Sequence, residues 1–206
     1  MYIMDEGVIK YSYKWIQGEA VTLELIDPLM KVRDYLHHLG LIGVYDNGIG
    51  FGNISIRVVG SDRFIVSGTQ TGHLAQLTPE HYTIVTDFDI DKNCLTCCGP
   101  IQASSESLTH AAIYSYQPQV NAIIHVHNPE IWRQLLYKVP TTRSEIPYGT
   151  PQMAKEMFRL FDEENLGERK ILVMAGHEDG FLTFGQNLNE AGSVLMRFAK
   201  TDYPHL

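Results

Sequence analysis

No stretch of this 206-residue chain comes near the roughly 18 uninterrupted apolar residues that a transmembrane helix needs. The N-terminal MYIMDEGVIKYSYKW is neither basic nor followed by a long apolar run, which argues against a secretory signal. Basic residues are few: 16 Lys and Arg face 24 Asp and Glu, a net charge of -8, and they form no run. That sign repels phosphate backbones and anionic lipid, so neither nucleic acid nor a membrane surface is an expected partner. Any site for an anion must therefore be built locally. Cysteine is also scarce. Cys94, Cys97 and Cys98 are the only three; an odd, crowded set cannot form a stapled framework, and reduced thiols in the cytoplasm fit best. Their CLTCC run has a CxxC spacing, but no second CxxC or CxxH completes four ligands, so packing in a strand is the plainer reading. No G-x-S-x-G elbow is present, and no cysteine has a histidine near it in sequence. Hydrolysis through a serine or cysteine nucleophile thus has no visible support.

The composition that remains, 44% hydrophobic and 19% charged, excludes a disordered chain. There is no internal repeat and no Pro/Gly/Ser linker, so one domain over 1–206 is the simplest organisation. Residues 8–16 read as a short strand. Leu25, Leu29, Val32, Leu36 and Leu39 recur at helical spacing, and Gly40 follows as a stop. The glycine-rich NGIGFGN turn leads into a strand over 54–59, whose hairpin partner covers 64–66. Residues 82–88 and 94–98 form another hairpin across DIDKN. A helix starts at Ser104 and runs to Tyr116, followed by a buried strand over 120–126. Asn128-Pro129 and Thr150-Pro151 each open a helix. Residues 171–174 and 181–184 are strands, and Asn187 with Glu190 resembles a capping box. Interleaved helices and hairpins predict a layered α/β protein with a mixed sheet.

The chemistry-bearing residues concentrate in three places. His125 and His127 end an apolar run, and residues two apart on a strand share a face, so their imidazoles project together as half of a zinc site. The plainer alternative is a solvent-facing pair. In ASSESLTHAAIY, Glu106 and His110 share a helical face near the helix start. Free N–H groups there, with the Ser104 and Ser105 hydroxyls, could hold an anion. Simple charge complementarity to the helix dipole would equally explain Glu106, and capping would explain Ser104. His177 follows the strand ILVM, where α/β sheets place their sites. Glu178 and Asp179 could orient its ring, or simply turn the chain. His37, His38, His73, His81 and His205 read as bland. The Gly48–Gly52 cluster is not a dinucleotide fingerprint, because a strand rather than a helix follows it.

Six segments together resemble the class II aldolase/adducin family: GFGNISIR, SGTQTG, ASSESLTHAAIY, NAIIHVH, PYGTPQMA and GHEDGFLTFGQNLNEA. They occur in family order and cover most of the chain beyond residue 22, leaving 1–20 as an N-terminal extension. The resemblance implies an α/β/α sandwich around a mixed, largely antiparallel sheet. It implies zinc, or another divalent transition metal, on His125, His127 and His177, with Glu106 as the catalytic acid–base group. Asn53, Thr71, Gly72, Ser104 and Ser105 would bind a substrate phosphate, with Ser67-Gly68 as an alternative alignment for the turn. The implied activity is a lyase of carbohydrate metabolism. It would cleave a carbon–carbon bond of a small hydroxy-carbonyl compound, a sugar phosphate, through a metal-stabilised enediolate, and would work as a homotetramer. The same site serves epimerases, dehydratases and decarboxylases, and the adducin branch offers a non-catalytic assembly module. One departure stands out: the family's third histidine directly precedes glycine, whereas Glu178 and Asp179 intervene here.

Overall fold

A computed structural model describes residues 8–199. In chain order the elements are β1 (Ser12–Ile16), α1 (Leu23–His38), β2 (Gly43–Val44), β3 (Gly50–Phe51), β4 (Asn53–Arg57) and β5 (Phe64–Ser67). After a 3-10 turn at Pro79–His81 come β6 (Tyr82–Asp89), β7 (Cys94–Cys98), α2 (Ser107–Tyr116), β8 (Ala122–His127), α3 (Pro129–Leu135) and α4 (Pro151–Glu163). The described chain finishes with α5 (Leu166–Arg169), β9 (Ile171–Val173), β10 (Gly180–Gly185) and α6 (Leu188–Ala199).

Eight strands form one sheet in the order β1-β7-β6-β5-β4-β8-β10-β9. Only β1 and β7 run parallel; every other pairing in it is antiparallel. Strands β2 and β3 make a separate small hairpin. Each face of the large sheet is covered by helices. On one face α2 and α4 bury Leu108, Ile113, Met153 and Met157 against Phe64, Val85 and Ile123. On the other, α1 and α6 bury Ile26, Leu29, Val32, Leu36 and Leu195 against Ile54, Ile124 and Val126. The result is the expected α/β/α sandwich, mixed but largely antiparallel.

Local chemistry sets several boundaries. Asn128 Oδ1 accepts the N–H groups of Glu130 and Ile131 ahead of the first-turn proline of α3. Thr150 does the same for α4 through the Met153 N–H. Asn187 Oδ1 accepts the Glu190 N–H, while the Glu190 carboxylate takes the N–H of Gln186 rather than that of the cap residue itself. The five-residue CLTCC strand alternates, with Cys97 buried and its thiol pushed up by burial. All three cysteines are free thiols in a strand. Two expected starts shift by three residues or more. The first strand begins at Ser12 rather than at residue 8. Helix α2 begins at Ser107, not Ser104, because the Ser104 carbonyl accepts both the Ser107 N–H and the Tyr11 hydroxyl in a turn that precedes the helix. Among the described residues no helix is long and apolar enough to cross a membrane. Residues 1–7 of the extension, and His205 in the tail, lie outside the described residues.

Candidate metal centre and substrate cleft

Strand β8 lies between β4 and β10, and its alternation sorts its side chains. Ala122, Ile124 and Val126 enter the α1/α6 core, so His125 and His127 project together on the opposite face. His125 is registered against Asn53 of β4 and Leu182 of β10, and His127 against Gly180. His177 reaches the same place from the turn between β9 and β10. The two residues that separate it from Gly180 form that turn: Gly180 N–H donates to the His177 carbonyl at 3.0 Å, and Asp179 takes a φ of 65°. Glu178 is exposed there and Asp179 is half-buried. Gly180 keeps the space open, since a Cβ would stand 3.2 Å from both His125 Nε2 and His177 Nδ1.

The three imidazoles are therefore one cluster. Each offers a nitrogen, these nitrogens lie within 4.8 Å of one another, and all three residues are buried. Among the described residues no other such His, Cys, Asp or Glu group occurs. Ring centroids are 4.8–5.2 Å apart. Burial first, and the neighbouring histidines second, hold His125 and His127 well below the ordinary imidazole pKa. They are neutral at pH 7, as ligation requires.

The surroundings of each ring fit a cation. His125 Nδ1 lies 3.2 Å from the Asn53 amide nitrogen, while Asn53 Oδ1 and His125 Nε2 are both buried without a hydrogen-bond partner. Half a turn of the amide changes the tautomer. Nδ1–H then donates to Oδ1, and the Nε2 lone pair is left for a metal. His127 Nδ1 meets the Tyr45 hydroxyl at 2.8 Å, so the same tautomer is available there. Tyr148 stacks on His177 with centroids 4.5 Å apart.

Glu106 caps α2 and is 1% exposed. Its Oε2 accepts the Thr109 hydroxyl at 2.7 Å, and its Oε1 is 4.0 Å from His177 Nδ1. Beneath α2 runs a polar seam from β4. Ser55 Oγ is 2.8 Å from both His110 Nδ1 and the Tyr114 hydroxyl, and Arg57 donates to the Tyr114 and Val120 carbonyls. Desolvation pulls the His110 pKa down to about 3, so this ring is a neutral strut.

A cleft of about 670 Å³ carries Glu106, His125 and Asn53 in its wall, together with Ser104, Ser105 and the 69–73 turn. The N-terminal segment lines it too, through Val8, Ile9 and Tyr13. The Ser104 hydroxyl is buried and unpartnered. Thr71 differs: its hydroxyl already donates to the Gly68 carbonyl at 2.9 Å, closing its own turn. Asn53, Thr71, Gly72, Ser104, Ser105, Glu106 and His125 line this one cleft, and His127 and His177 cluster with His125. Sequence reasoning missed Tyr45, Arg33 and the role of Tyr148; only Tyr148 carried a signal, through PYGTPQMA. His37 was read as bland, yet its ring has the Gly72 backbone as a hydrogen-bond partner. His73 and His81 serve local turns, and His38 is exposed.

Comparison with known proteins agrees with this architecture. A family model described as Class II Aldolase and Adducin N-terminal domain matches residues 45–201. Similar solved structures include an L-fuculose 1-phosphate aldolase at 17% identity and TM-score 0.66, covering 88% of this chain and 85% of that one. The L-fuculose-1-phosphate aldolase from Thermus thermophilus aligns at 21% identity and TM-score 0.58, over 86% and 87% of the two chains. A sugar-phosphate aldolase from Thermotoga maritima aligns at 16% identity and TM-score 0.64, over 86% and 91%. At these identities the structural likeness speaks for the fold.

Proposed function

The chain belongs to the class II aldolase and adducin family, and from that premise we propose that it is a zinc-dependent lyase. Its substrate is a small hydroxy-carbonyl compound, a sugar phosphate, which it splits at a carbon–carbon bond. The observation that carries this reading is the buried cluster of His125, His127 and His177 with the Glu106 carboxylate 4.0 Å from one of its rings.

His125, His127 and His177 would hold the cation. When bound, a divalent metal supplies Lewis acidity toward the oxygens of a hydroxy-ketone. Glu106 takes or returns the proton at the carbon next to the carbonyl. The Thr109 hydroxyl donates to that carboxylate and fixes its orientation. Ser104, Ser105, Asn53 and the Thr71-Gly72 turn receive the anionic end of the substrate. These are neutral donors, and they suit a molecule whose net charge of -8 offers an anion no general attraction. Val8, Ile9 and Tyr13 form one side of the cleft. A cytoplasmic homotetramer completes the reading.

The test is solvent exchange. Zinc-loaded protein is incubated with dihydroxyacetone phosphate in heavy water, and the carbon-bound protons are followed by NMR. Zinc-dependent loss of one proton signal is expected. Glu106→Gln should keep its zinc and slow the exchange by about 10²-fold or more. No exchange with this or other hydroxy-ketones, together with no bound metal, would move the protein to the non-catalytic assembly branch. Exchange unchanged in the Gln variant would reduce Glu106 to a helix cap.

A further inference from the structure

Arg33 is the largest fully buried side chain among the described residues, with 1% of its surface exposed. It lies on α1, across the sheet from the acid–base residue, and its charge is only loosely matched. The nearest carboxylate, Asp34, is 3.4 Å away and partly exposed. Desolvation accordingly lowers the guanidinium pKa, although not enough to discharge an arginine. A fully buried cation whose one near carboxylate is long and partly exposed is expensive, so its location calls for a reason.

Its hydrogen bonds supply one. Nη2 donates to the Thr71 carbonyl at 2.8 Å and Nη1 to the Leu74 carbonyl. The same helix adds two more fastenings to this loop. Asp34 Oδ1 accepts the Leu77 N–H at 3.2 Å, and His37, one turn after Arg33, has the Gly72 backbone as a partner. The loop is clamped on its other side by shape. A Cβ on Gly72 would overlap the Gly43 carbonyl oxygen at 2.0 Å, so the Gly72 backbone lies flat on the β2–β3 hairpin.

The peptide between Thr71 and Gly72 is trans, so its C=O and N–H point in opposite directions. The carbonyl faces Arg33, so the N–H faces away from it, and Gly72 is itself a residue of the cleft wall. Among the described residues the Gly72 N–H has no protein acceptor. A charged donor on one end of a peptide strengthens the donor at its other end.

We infer that Arg33 is a positioning residue for substrate: through the Thr71–Gly72 peptide it presents a polarised N–H, and a share of its buried charge, to the anionic end of the ligand. This rests on the proposed anion-binding role of the turn and deepens it. It also explains how an acidic protein attracts a phosphate with no lysine or arginine among the described residues of the cleft wall.

The probe is inorganic phosphate, titrated into the zinc-loaded full chain and followed by calorimetry and by the Gly72 amide signal in 15N–1H NMR. In the native protein phosphate should shift the Gly72 amide proton downfield. Arg33→Met should weaken phosphate binding by about tenfold or more, the scale of one lost charge-assisted contact. It should leave zinc content unchanged. Arg33→Lys, which keeps the charge but reaches fewer carbonyls, should fall between. Affinity for neutral dihydroxyacetone should change little, so that only discrimination for the phosphorylated ketone is lost; a merely structural defect would lower both. If Arg33→Met does not fold, the lysine variant and His37→Gln carry the comparison. Native phosphate affinity in a folded Arg33 variant overturns the inference, as does a Gly72 amide that phosphate leaves unmoved. Absent phosphate binding in zinc-loaded native protein overturns it too, while sparing the metal reading. Phosphate binding without zinc would do the reverse.

Discussion

A single amide decides which nitrogen His125 can offer. If Asn53 presents its oxygen, His125 Nδ1 is protonated and Nε2 is a ligand; if it presents nitrogen, Nε2 carries the proton and repels a cation. Asn53 would therefore act on a bound metal at one remove. His125→Ala and His127→Ala should abolish stoichiometric zinc, measured by atomic absorption after dialysis. Asn53→Ala should keep the site but weaken zinc by about 10–100-fold in a chelator competition. Full zinc affinity in that variant would show that the ring is oriented by other means. The histidine pair was legible because strand periodicity alone puts residues two apart on one face. Asn53 came from family resemblance, and its contact with His125 appears only when β4 pairs with β8. Tyr45 and Arg33 were invisible, because their partners lie 82 and 38 or more positions away.

At the scale of elements, the strand order was harder to read than the strands. Hairpins announce themselves through turns such as DIDKN, whereas the placement of β8 between β4 and β10 depends on contacts with no local signature. The start of α2 was misjudged for a related reason. Ser104, Ser105 and Glu106 look like a capping run, but a hydroxyl from β1's approach, Tyr11, draws the Ser104 carbonyl into a turn ahead of the helix. The seam between β4 and α2 carries a testable pH effect. His110 is neutral in both folded and unfolded chains above its ordinary pKa of 6.5. Below that, the unfolded chain binds a proton that the native ring refuses until about pH 3. Stability must therefore fall on acidification through this window, by up to about 1.4 kcal/mol per pH unit from this residue. Urea denaturation of the metal-free protein at pH 7, 6 and 5 should show a shallower loss for His110→Gln than for the native chain. Equal slopes would mean that His110 reaches solvent in the native state.

For the whole molecule, the fold class followed from interleaved helices and hairpins, while assembly left no pattern in the chain. A closed homotetramer predicts a light-scattering mass near four times the 23.3 kDa of one chain at micromolar concentration. A monomeric mass would remove it. The position of β10 has a consequence for how the molecule is made. It is the last strand in the described chain, yet it sits inside the sheet, between β8 and β9. On the ribosome, β8 emerges early and must wait with one bare edge until residue 185 has been synthesised. That edge is an invitation to stray pairing for the whole interval. The two imidazoles of β8 wait with it, able to grip a cation only weakly until His177 arrives on the same late segment. Translation speed across residues 128–185, and the company of a chaperone there, should govern how much of the chain reaches its native form.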